Sequence, residues 1–244
     1  MNLRLLQASE LADWRTRWQA IDEFIGYWFD TDFVRHPTDH RIDEIEAGLG
    51  LALPPSAREW VAFLLAAEQI KRNFTFRDSL QLEKIEHHDA ISLLWQGEAD
   101  YIWAIEMTHW SEPDPPVIAY YLDHDQNPER FELHGPWAPT VSAFALDYLL
   151  TYISSNGGGF TTRESQPAFD RDALLAEFGT PTCFGHLELF ATDGVIAVRK
   201  DLPDDEQHRR EVQVEIRRPT PLAALPLCLQ RLYPQAHIQS SQLE

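Results

Sequence analysis

Two short runs concentrate the side chains that acid–base or metal chemistry would need, His87-His88-Asp89 and Asp123-His124-Asp125. An imidazole beside a carboxylate is the pairing of a general base with the group that orients it, and both residue types ligate metals. Adjacency works against convergence, however. Neighbouring side chains point to opposite faces of a strand and stand about 100° apart on a helix, so neither triplet closes on one ion by itself. Polar turn chemistry accounts more simply for residues 123–127. A hydrolase built on His88 or His124 is therefore the alternative reading. No GxSxG, HExxH, GxGxxG or CxxC pattern occurs, so the mechanisms those spacings serve lack their residues. The three glycines at 157–159 are not followed by Gly-Lys-Ser/Thr and come after a helical pattern, which favours a linker over a phosphate loop. The sequence assigns no catalytic residue, no metal ligand and no cofactor.

Charge points elsewhere. Against 39 Asp and Glu stand 20 Lys and Arg, a formal net charge of −19. Such a field repels phosphate backbones and anionic lipid, so nucleic acid and membrane are not the expected partners. It attracts a basic protein and speeds the encounter where the charge is grouped on one face. Carboxylates beside aromatics are the residues to examine, and the segment from 98 to 114 carries them: Glu98, Asp100, Trp110, Glu112 and Asp114. These five are the candidate partner contacts. A second acidic run, residues 204–206, reads as a solvated loop.

Two cysteines, Cys183 and Cys228, sit far apart in apolar surroundings and make no disulfide framework. No apolar run approaches the ~20 residues of a membrane span, and the opening residues lack the apolar core of a secretory signal. The expectation is a cytoplasmic protein.

The elements that must position these residues follow from periodicity. Leu11, Trp14, Trp18, Ile21, Ile25 and Trp28 recur at helical steps, with Ser9-Glu10 as the cap and the aromatics as core. A short helix from residue 38 or 39 to Leu49 has Gly50 to end it in the left-handed conformation. A proline-containing stretch leads into another from 57 to 70, with Trp60, Phe63, Leu64 and Ala67 on one stripe. Residues 74–76, 80–85 and 90–95 give an ambiguous pattern. Strands are expected at 101–107, 117–122 and 130–134, with a proline-rich turn at 112–116. Thr140 or Ser142 caps the next helix. Beyond the linker come a helix at 170–178 stopped by Gly179, strands at 186–191, 195–200 and 211–216, and a helix from Thr220 that Pro226 kinks. The predicted class is α+β, a mixed or antiparallel sheet flanked by helices, with an added C-terminal α-β-β-β-α segment. Residues 1–155 read as one domain with an N-terminal helical extension, 156–168 as linker and 169–244 as the C-terminal segment.

From Ile42 through Leu49-Gly50 and Leu53-Pro54 to Trp60, the chain resembles the opening of a SUKH domain. That family begins with an acidic amphipathic helix, a Leu-Gly, a Leu-Pro and a helix bearing an aromatic residue. The similarity continues through the Trp103 strand, the turn from Asp114 to Val117, Trp137 and the helix start at residues 141–144, over roughly residues 38 to 153. The chain departs from the pattern after residue 69, where the family's Asn-Gly is missing. The resemblance implies an α+β fold and a bacterial immunity protein that binds a cognate toxin, with basic nucleases prominent among the toxins. Other branches act as interaction modules without a toxin, which leaves a scaffold or regulatory role as a second alternative.

Overall fold

A computed structural model describes residues 13–29, 32–67, 82–96, 101–123, 130–156, 160–163, 171–184, 187–192, 194–201, 210–216, 221–232 and 237–238. The chain divides into two compact units, Phe33–Leu146 and a second formed by Met1–Asp32 with Asp147–Glu244.

In the first unit, α2 (His40–Leu49) starts where Asp39 accepts the Arg41 backbone N–H at 2.9 Å and ends at Gly50, whose φ of 67° is the left-handed cap expected from the sequence. Leu53 and Pro54 lead into α3 (Pro55–Ala67), whose Trp60, Val61, Phe63 and Leu64 are buried. Arg58 fastens the two helices. Its guanidinium donates to Asp43 and Glu46 of α2 and, at 2.7 Å, to the Pro37 carbonyl. Glu46 also accepts the Leu53 N–H at 2.9 Å, so the turn between the helices is held from within.

Four antiparallel strands follow in the order β1 (Ala90–Gln96), β2 (Tyr101–Glu106), β3 (Val117–Asp123) and β4 (Arg130–Ala138). The ambiguous pattern at 90–95 resolves as β1, while residues 74–76 lie outside the described residues. Helix α4 (Val141–Asn156) begins at Thr140, whose hydroxyl accepts the Ala143 N–H at 3.2 Å. One sheet face packs on the helices through aromatics: Trp60 lies 5.1 Å from Phe144, and Phe144 lies 5.7 Å from Trp103, between ring centroids. The Trp60 indole N–H donates to the Leu93 carbonyl at 3.2 Å. Edge-on and tilted contacts of this kind add about 0.5–1.5 kcal/mol each beyond area burial. The other face gathers Ile85, Ala90, Ile102, Ala104 and Tyr120.

In the second unit, α1 (Trp14–Phe29) buries Trp18, Ile21, Phe24, Ile25 and Trp28, the stripe the periodicity predicts; its proposed cap at Ser9 lies outside the described residues. Six antiparallel strands run in the order β10 (His237–Ile238), β5 (Phe160–Arg163), β9 (Arg210–Ile216), β8 (Val195–Asp201), β7 (Leu187–Thr192) and β6 (Thr182–Phe184). Helices α5 (Arg171–Phe178) and α6 (Leu227–Leu232) cover one face, where Leu174 and Leu229 join Phe190, Ala197, Val212 and Val214 in a core. Pro226 lacks an N–H and separates a short 3-10 turn, Leu222–Ala224, from α6. Glu177 caps α6 by accepting the Cys228 N–H at 2.9 Å.

The sheets agree with expectation, while the linker and the domain boundary need correction. Both sheets are antiparallel throughout, within the α+β class expected. The stretch 156–168 is not linker along its length: Phe160–Arg163 pairs with β9 and, at its other edge, with β10. Phe160, Thr161 and Thr162 are strand-forming residues whose signal is diluted by the glycines before them. The domain boundary runs at 146/147, inside α4, and α1 groups with the C-terminal part rather than extending the first domain. No helix among the described residues is long and apolar enough to cross a membrane.

Candidate functional site

The proline-rich connection between β2 and β3 is fastened to its surroundings at nearly every turn. A 3-10 turn, Met107–His109, opens it, and the Met107 N–H donates to the Asp89 carbonyl at 2.8 Å. Trp110 donates its indole N–H to the Ala52 carbonyl at 2.8 Å, tying the loop to the α2–α3 turn. The Pro113 carbonyl accepts the Ser56 N–H and the Pro115 carbonyl accepts the Val141 N–H, each at 2.9 Å. These bonds satisfy first-turn amides of α3 and α4 with the loop's own carbonyls. Prolines suit this role because they accept without needing to donate.

Within this frame the predicted contact residues separate. Asp114 is only partly exposed, and its two oxygens take the Ser142 N–H at 3.0 Å and the Ser142 hydroxyl at 2.6 Å. It serves as a helix cap supplied from a distant loop. Glu112 is exposed, 2.7 Å from Nδ1 of the half-exposed His109. Trp110 is half-buried, its indole nitrogen already committed to Ala52. Glu98 and Asp100 lie outside the described residues. The structure therefore brings Trp110, Glu112 and Asp114 together on one rigid loop, with Asp114 turned to structural use.

The six residues of β2, about 20 Å at ~3.3 Å each, separate this loop from Tyr101. At the Tyr101 end lies a cluster that periodicity does not reveal. Tyr101 pairs across the strands with Tyr121, and Tyr121 with Glu132, so all three share a face. The Tyr121 hydroxyl donates to Glu132 at 3.0 Å, a bond that holds the phenol above its ordinary pKa. A register shift in β4 leaves His134 as an extra residue between Leu133 and Gly135, and its ring lies on the same side as Tyr101. His134 lies 5.6 Å from Tyr101 and 6.5 Å from Trp137, and Trp137 packs edge-on against Trp103 at 5.7 Å. Tyr101, Tyr121 and Trp137 are half-exposed and His134 is exposed.

The histidine runs take other parts. His88 packs at a tilt against Tyr120, 4.5 Å between ring centroids, and its Nε2 lies 2.7 Å from the Phe131 carbonyl, so the ring pins the turn before β1 to β4. His87 sits at a φ of 66°, a turn position. His124 and Asp125 lie outside the described residues. Among the described residues no group of three or more His, Cys, Asp or Glu side chains is placed to hold a metal ion.

No protein-family model, no curated protein and no solved structure matches this chain.

Proposed function

We propose that the chain is a non-enzymatic binding protein of the SUKH type, an immunity protein that neutralises a cognate toxin by direct contact, the toxin being a basic protein of the nuclease class. The observation that carries the reading is the mounting of the β2–β3 loop. Bonds to Asp89, Ala52, Ser56, Val141 and Ser142 fix its course before any partner arrives. A loop already ordered spares the complex the entropy of ordering it, which is how preorganisation raises affinity.

Electrostatics supports the same reading. A net charge of −19 draws in a basic surface and disfavours nucleic acid, and exposed Glu112 stands on the fixed loop with Trp110 beside it. A toxin that grips phosphate with Lys and Arg presents the complementary surface, and covering that surface is inhibition in itself. The reading places the protein in the cytoplasm, where its toxin would act.

The test is stopped-flow association with the product of the adjacent gene. Glu112→Lys is expected to slow association at low salt and to flatten its salt dependence, because a rim charge acts on the on-rate. An on-rate and salt slope identical to those of the unaltered chain would count against the loop as the contact.

A further inference from the structure

We infer that the aromatic face formed by Tyr101, Tyr121, His134 and Trp137, with Glu132 at its edge, is a docking site for an arginine side chain of a basic protein partner. This rests on the reading of the chain as a protein-binding module and names the recognition chemistry of a second contact, at the opposite end of β2 from the β2–β3 loop.

Geometry comes first. The cross-strand register sets Tyr101 beside Tyr121, and the bulge adds His134, 5.6 Å from Tyr101. Trp137 closes the row, 6.5 Å from His134 and edge-on against Trp103, which shares the sheet face of Tyr101. Half-exposed rings on a sheet, beside a buried indole, form a firm π surface that needs little reordering on contact. The Tyr121–Glu132 bond fixes a carboxylate against that surface.

Chemistry then selects the occupant. A guanidinium is planar, stacks on aromatic rings and donates in a fork that matches a carboxylate, so it can lie over a tyrosine or tryptophan while reaching Glu132. An ammonium is a compact, strongly hydrated charge and gains less from the rings. The overall charge of −19 completes the match to a basic partner, and an anionic ligand would meet both that field and the Glu132 carboxylate.

The probe is a hexa-arginine peptide with hexa-lysine as its counterpart, titrated into the full chain and followed by NMR and calorimetry. Hexa-arginine is expected to shift the Tyr101, Tyr121, His134 and Trp137 signals while sparing the Trp110 indole, and to bind about two- to fivefold tighter than hexa-lysine. Trp137→Ala and, separately, Tyr121→Leu should erase that preference while leaving the general salt-dependent attraction. Shift mapping on the unaltered chain carries the same information if a variant fails to fold. Equal binding of the two peptides, or shifts confined to other surfaces, overturns the proposal. Toxin rescue separates the two levels: rescue that survives loss of the arginine preference removes this face and keeps the binding function, whereas site-specific arginine binding without rescue keeps the face and removes immunity.

Discussion

Asp114 caps α4 through a residue 28 positions later, holding the Ser142 backbone N–H at 3.0 Å and the Ser142 hydroxyl at 2.6 Å. The β2–β3 loop and α4 are therefore one mechanical piece, and the same carboxylate that the sequence offers as a partner contact fixes the loop instead. Asp114→Ala should cost about 1–3 kcal/mol in chemical denaturation, as a lost cap and a lost charged hydrogen bond do. Ser142→Ala should cost less, and the double variant should fall short of the sum because the two side chains share one bond. Strict additivity would mean that the pairing contributes nothing.

Arg58 meets three acceptors on two segments, Asp43, Glu46 and the Pro37 carbonyl. Arg58→Lys keeps the charge but loses the fork, so it should recover little of the stability lost in Arg58→Ala, which is expected to be about 1–3 kcal/mol. Full recovery by lysine, measured by thermal unfolding, would show that charge alone matters here.

Glu188 lies between Arg171 and Arg199, and its pKa is lowered first by the hydrogen bonds from Arg171 and then by Arg199. Asp39 is lowered likewise by its bonds to Arg41. Each carboxylate binds its proton less readily folded than unfolded. The stabilisation they give is therefore complete above roughly pH 4 to 5 and is lost as the pH falls through their depressed folded values. Glu188→Gln should flatten the acid side of the stability profile and leave the slope between pH 6 and 8 unchanged. An acid limb as steep as that of the unaltered chain would contradict the assignment.

Cys228 lies on α6 and is buried in the core, and burial, with the nearby Glu177 charge, pushes its thiol up to about 11. In a Cys183→Ser background, thiol labelling of the native protein near pH 8 should run more than about a hundredfold slower than in denaturant, since thiolate is the reactive form. Comparable rates would place Cys228 at the surface.

The helices and most strands were legible because their signals are local. Gly50 marks the end of α2, and Trp60, Phe63 and Leu64 mark the buried stripe of α3. The prolines at 113, 115 and 116 announce a turn, but not that their carbonyls cap two helices, because the partners Ser56 and Val141 lie 57 and 26 residues from the prolines that hold them. Residues 160–163 hid behind three glycines. The aromatic face is written at positions 101, 121, 134 and 137, but which of these stand beside one another is set by the cross-strand register and by the shifts within β4. Register, unlike periodicity, is a tertiary property.

The most direct measurement is co-expression of this chain with the product of the adjacent gene, reading cell survival and then co-purification at low and high salt. Direct neutralisation predicts survival together with a complex that weakens as salt rises. Death of the cells with a well-folded chain present, and no complex at low salt, would contradict it.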